Sequence, residues 1–176
     1  MFQLPFPVRD ANASAGGKNL GDLPEWDLTD LYESEDAPAL KRDMDWLEDA
    51  CESFATDYEG KLADLDAEGF LDCVLRNEKI NQVAGRIMSY AGLRYYQQTT
   101  DSGRAKFLSD CQEKITNFTT PLVFFTLELN RLEDDHLDKL FDHSAELARY
   151  KPVFDRIRAM QPYQLSDEME KFLHDL

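Results

Sequence analysis

Residues 102–130, SGRAKFLSDCQEKITNFTTPLVFFTLELN, decide the fold class. Apolar side chains recur at Leu108, Cys111, Ile115, Phe118, Leu122, Phe125 and Leu129, with spacings that alternate between three and four. That is the period of one face of an α-helix, and no β-strand keeps it. Asp101 stands in front as a candidate N-cap, because a short carboxylate there accepts from the first unpaired amides. Twenty-nine residues at about 1.5 Å each make a helix of roughly 43 Å, long for a domain of this size. Pro121 should kink it near the middle, since proline has no N–H to give to the preceding turn.

The same pattern extends toward the N-terminus. A helix is predicted from about Ala67 to about Gln98 behind Asp66 as cap, with Ile80, Ala84, Ile87 and Ala91 on one stripe and Val83, Ile87 and Tyr90 overlapping it. Gly85 and Gly92, seven apart and so on one side, are expected to let another helix approach closely. An earlier helix is signalled by Asp36 as N-cap and Pro38 in the first turn. Its stripe is Leu40, Met44, Leu47, Cys51, Phe54 and Tyr58, and Gly60 supplies the stop. Before it, Trp26 to Tyr32 reads as an extended segment pinned onto the body by Trp26 and Tyr32.

Toward the C-terminus, shorter helices are expected around Asp134 to Phe141, Glu146 to Met160 and Ser166 to Leu176. Ser166 is a good N-cap, Asp167 and Glu168 complement the helix dipole, and Phe172, Leu173 and Leu176 give an apolar face. The chain stops while that helix still runs, as in a fragment whose next element is missing. No strand-like alternation occurs, so the expected fold is all-α, with long antiparallel helices in a bundle. Residues 1–22, rich in Gly, Ala, Asn and Ser, read as a flexible leader. Residues 23–165 read as the helical domain, and 166–176 as the start of a truncated helix.

Charge narrows the partners. The 176 residues carry 35 acidic and 19 basic side chains, a net charge of −16. Residues 25–72 alone hold 17 acids and three bases, a net −14. Such a surface repels phosphates, which excludes nucleic acid and anionic membrane as default partners. Asp43, Asp45, Glu48, Asp49 and Glu52 read as the solvated face of the first helix. No apolar run approaches the eighteen residues of a membrane span. Cys51, Cys73 and Cys111 form no CxxC pair and fall on or near apolar stripes; they read as core thiols in a reducing, cytoplasmic setting.

Catalytic chemistry is not assembled by spacing. The histidines are His136, His143 and His174; there is no HExxH and no pair of histidines four apart. His136 and His143, seven apart with Asp142 between them, read as surface histidines rather than as metal ligands. No GxSxG, P-loop or GxGxxG is present. The residues alone therefore describe a helical scaffold or binding surface, with no catalytic, cofactor or metal residue.

Specific strings go further. Leu23-Pro24-Glu25-Trp26-Asp27-Leu28-Thr29-Asp30-Leu31-Tyr32, then Tyr58-Glu59-Gly60-Lys61-Leu62, Ser89-Tyr90-Ala91-Gly92-Leu93 leading into Thr99-Thr100-Asp101, Phe124 to Asn130, and Tyr150 to Leu173 occur in this order. Their order and spacing resemble the opening of oligoendopeptidase F, a family of zinc-dependent oligopeptidases related to thimet oligopeptidase. The resemblance implies an N-terminal lobe of a larger helical metallopeptidase, cytoplasmic and acting on short peptides. The family's HExxH helix and third zinc ligand lie beyond Leu176, so no catalytic or metal position carries over. Zinc is expected in the complete enzyme and none in this chain, and the fragment is expected to be inactive alone. A second class of function remains: a free-standing helical module that docks a partner helix or self-associates through its stripes at 40–58 and 108–129.

Overall fold

A computed structural model describes residues 25–174. The expected leader at 1–22, and Leu176 in the last apolar face, lie outside the described residues. Eight α-helices occur among them: α1 (Pro38–Tyr58), α2 (Ala67–Gln97), α3 (Ser102–Thr119), α4 (Val123–Arg131), α5 (Asp134–His143), α6 (Ala145–Ala148), α7 (Lys151–Arg158) and α8 (Asp167–His174). Short 3-10 turns lie at Leu62–Asp64, Thr120–Leu122 and Gln161–Tyr163, and no strand is found among the described residues. The all-α expectation holds.

The helix signals act where local chemistry supports them. Asp66 accepts from the Gly69 amide at 2.8 Å, and Asp101 accepts from Gly103 and Arg104. Gly60 has φ of +78°, the left-handed turn that glycine enters without a Cβ penalty. Asp36 is not the cap of α1. Ala37 holds that position without a side-chain bond, and Pro38 opens the helix with no amide left to satisfy.

α1 and α2 run antiparallel, and three arginines of α2 record it. Arg76 reaches Asp57, Arg86 reaches Asp43 and Arg94 reaches Glu35, so rising numbers on α2 meet falling numbers on α1 and the turn before it. Two of these guanidinium groups also lie over tyrosine rings, Arg76 5.0 Å from the Tyr58 centroid and Arg86 4.5 Å from that of Tyr32. Each tyrosine donates to a carboxylate, Tyr32 to Asp43 and Tyr58 to Asp72. The acidic run of 25–72 is thus only partly a solvated face. Asp45, Glu48, Asp49 and Glu52 are exposed, while Asp43 belongs to the tyrosine–arginine clamp.

The core lies between α1, α2 and α3 and is continued by residues of α4 to α7. Leu47, Cys51, Phe54, Phe70, Cys73, Ile80, Ile87, Leu129 and Leu147 are fully buried, and Phe54 packs against Tyr58, Phe124 and Phe125. The three thiols are buried, and desolvation pushes Cys51 up to about 11 and Cys73 up to about 12. They are core thiols, as the stripes predict.

Three further expectations need correction and one is sharpened. Residues 102–130 keep right-handed helical dihedrals at Thr119, Thr120, Leu122 and Val123, and the disturbance expected at Pro121 is a 3-10 turn joining α3, which ends at Thr119, to α4. The Thr119 and Thr120 hydroxyls donate to the Ile115 and Thr116 carbonyls, which helps the helix end there. Glu146 to Met160 divides into α6 and α7, with Pro152 in the first turn of α7. Trp26 is 65% exposed and pins nothing; its carbonyl accepts from Gln97, while Tyr32 alone is buried. Finally, a Cβ at Gly85 would meet nothing within 4 Å, and one at Gly92 only the edge of Tyr96 at 3.9 Å. No helix among the described residues approaches there.

Candidate functional site

α8 reverses the usual orientation of a surface helix. Its positions 167, 170, 171 and 174 share one face, and every one is polar. Asp167 pairs with Arg131 of α4, Lys171 with Glu59 after α1 (3.5 Å), and His174 Nε2 lies 3.3 Å from the Thr119 hydroxyl. The Arg131 guanidinium holds the Asp167 carboxyl below its usual range. Glu170 turns back to accept from the Leu165 amide, and Ser166 Oγ accepts from that of Met169. Ser166 therefore caps this helix as predicted.

The opposite face is apolar and bare. Met169, Phe172 and Leu173 are exposed, Phe172 at 58%. The approach to the helix continues the surface with Met160, Tyr163 and Leu165, Tyr163 at 74%. Six of the eleven exposed large apolar side chains among the described residues lie between 160 and 173, so this is a contiguous stretch and not scattered surface leucines. The two ion pairs on the inner face are about half exposed and contribute roughly 0.2–1 kcal/mol each. Covering one large apolar side chain of the outer face is worth about 1.5–3 kcal/mol. The energetically important surface of α8 thus faces away from its own domain.

Nucleophilic and metal chemistry do not converge here. Ser53 Oγ accepts from Arg76 and donates to the Ala50 carbonyl, with no base beside it. His136 and His143 do sit on one helix, but His143 Nδ1 donates to the Lys139 carbonyl at 2.6 Å. His136 Nε2 is buried without a hydrogen-bond partner. Among the described residues no group of three or more His, Cys, Asp or Glu side chains could hold a metal ion, so the residues present do not fit a zinc site. No helix among them is long and apolar enough to cross a membrane.

Sequence reasoning missed Glu128. Its carboxylate accepts from the Gly60 amide (2.6 Å) and the Leu62 amide (3.4 Å), capping the turn after α1 from a distance of 66 residues or more. Only the position of a glutamate inside an otherwise apolar stretch, Phe124 to Asn130, signals it. Asn130 beside it is the buried polar residue of the described core, 3% exposed.

Comparison with known proteins places these features. The family profile described as Oligopeptidase F matches residues 128–176, which is the segment running from Glu128 through α8. Over 164 residues, 89% of this chain, the sequence is 24% identical to "Oligoendopeptidase F, plasmid" of Lactococcus lactis subsp. cremoris. It is equally similar to "Oligoendopeptidase F homolog" of Lactococcus lactis subsp. lactis (strain IL1403). The chain spans about a quarter of these relatives, 26% of their length. The crystal structure of oligoendopeptidase-F from Enterococcus faecium shares the fold, with a TM-score of 0.68 at 20% identity, over 78% of this chain and 27% of that one.

Proposed function

We propose, for a chain whose sequence and fold match an N-terminal domain of oligoendopeptidase F, that it forms one helical wall of the substrate channel of a zinc oligoendopeptidase. The observation that carries this reading is α8. Its polar face grips the domain and its apolar face is left for another body to cover. In the complete enzyme that body is the catalytic part, which supplies the zinc ligands and hydrolyses short peptides in the cytoplasm. Residues 23–165 then act as the folded wall and 166–176 as the lead into the catalytic part. This chain contributes shape and charge to the channel and has no hydrolytic activity of its own.

The test has two arms. The purified chain with added zinc leaves a quenched short peptide uncut, and cleavage at metalloenzyme rates overturns the proposal. In the gene, the reading frame continues past Leu176 into an HExxH segment. A stop codon there, together with a stable dimer in solution, favours the free-standing module instead. That module would have to use the outer face of α8, because the stripes at 40–58 and 108–129 are both packed inside this fold.

A further inference from the structure

We propose that residues 159–174 form a detachable arm, held on α4 and on the corner after α1 by a polar, salt-sensitive latch that opens while the other helices stay folded. Among the described residues, the last apolar side chain packed against the core is Ile157. Beyond it, the bonds from the described residues to the body are amide hydrogen bonds, ion pairs and one hydroxyl–imidazole contact. Gln161 Nε2 donates to the Asn130 carbonyl, and Asn130 Nδ2 donates to Gln164 Oε1 at 2.8 Å. Arg131 pairs with Asp167, Lys171 with Glu59, and Thr119 meets His174.

Three features make this a latch and not merely a weak edge. The fixed point is Arg158, whose guanidinium donates to the Leu129 carbonyl at 2.6 Å and reaches Asp134, so motion starts beyond it. The docked state is imperfectly satisfied, since Asn130 Oδ1 is buried without a partner and gains water when the arm lifts. The bonds that build α8, Ser166 to Met169 and Glu170 to Leu165, are local, so the arm leaves as a unit. An isolated helix of this length is marginal in water, and lifting therefore exposes its amides. The inference concerns contacts within this chain alone and stands apart from the peptidase reading. Its consequence is mechanical: the arm sets the angle between this domain and whatever covers Met169, Phe172 and Leu173.

Amide hydrogen exchange tests it on the full 176-residue chain, at low salt and in about 1 M sodium chloride, where ion pairs at the surface are screened. Amides of residues 170–174 are expected to exchange roughly fivefold to tenfold faster in high salt, and by a similar factor at low salt in the double variant R131Q/E59Q. Amides of α2 stay unchanged or slow down, because salt also screens the self-repulsion of an acidic chain. The variant Phe172→Ser keeps the wild-type protection of the arm. The proposal is overturned if either salt or the double variant fails to accelerate the arm, or if α2 accelerates with it. It is equally overturned if the arm already exchanges at free-peptide rates at low salt, or if Phe172→Ser releases it.

Discussion

α1 and α8 are both amphipathic helices lying on one domain, and they lie on it in opposite senses. α1 buries Leu40, Leu47, Cys51, Phe54 and Tyr58 and leaves Asp45, Glu48, Asp49 and Glu52 wet. α8 turns Asp167, Lys171 and His174 toward the body and leaves Met169, Phe172 and Leu173 bare. Periodicity announces that a helix has two faces. It does not say which face meets the chain that carries it. A helix docked by its charges advertises a surface to be covered from outside, and that distinguishes the part of this molecule that holds it together from the part that meets a neighbour.

The contrast breaks first on aromatic truncation. Phe54→Ala removes a fully buried ring from the Tyr58, Phe124 and Phe125 cluster and should cost about 3–5 kcal/mol. Phe172→Ala should stay within about 0.5 kcal/mol. Urea unfolding of both variants measures the difference; comparable losses would mean that the outer face of α8 is part of this core.

Alkaline titration comes next. The unfolded thiols ionise from about pH 9, while burial holds Cys51 protonated to about 11 and Cys73 to about 12. Between those limits the unfolded chain binds fewer protons than the folded one, so stability present below pH 9 is lost as pH rises through that window. The loss should reach roughly 2 kcal/mol for each thiol by pH 11. Replacing Cys51 and Cys73 by alanine costs stability at pH 7 but should flatten this part of the profile, as urea midpoints at pH 8 and 11 will tell. The arm contains no cysteine and takes no part.

Glu128→Ala frees two backbone amides at the turn after α1 and should destabilise the whole domain by about 2 kcal/mol. A smaller effect separates the two regions by cap. Asp66→Ala unties the start of α2 and should lower global stability by about 1 kcal/mol. Ser166→Ala is expected to fray α8 in hydrogen exchange with no shift of the urea midpoint. A shared shift would join the arm to the cooperative unit.

The signals legible in the sequence are the local ones. Asp66, Asp101 and Ser166 cap helices within three residues of themselves, Gly60 stops α1, and the α1 stripe and the three thiols lie in the core because a helical period of apolar residues has to be buried somewhere. Pro121 was legible as a disturbance, and its form, a 3-10 turn between α3 and α4, is set locally by the missing amide and by the Thr119 and Thr120 hydroxyls that bond back to the Ile115 and Thr116 carbonyls. Trp26 misled because size alone does not decide burial; Tyr32, with Asp43 and Arg86 around it, is the anchor. The glycines at 85 and 92 misled because a smooth helix side permits a neighbour without requiring one.

By itself the sequence determined an all-α chain, the caps at Asp66, Asp101 and Ser166 though not the one expected at Asp36, its core thiols, its acidic first third, and a likeness to the opening of oligoendopeptidase F. Each of these is fixed by neighbours a few positions away or by composition. Tertiary structure alone decided that Glu128 caps a turn 66 or more residues distant, that three arginines of α2 clamp the acidic segment, and that α8 faces its apolar side outward. Those are pairings across long separations, and helical periodicity, which records only angles around one axis, does not record which bodies meet along it.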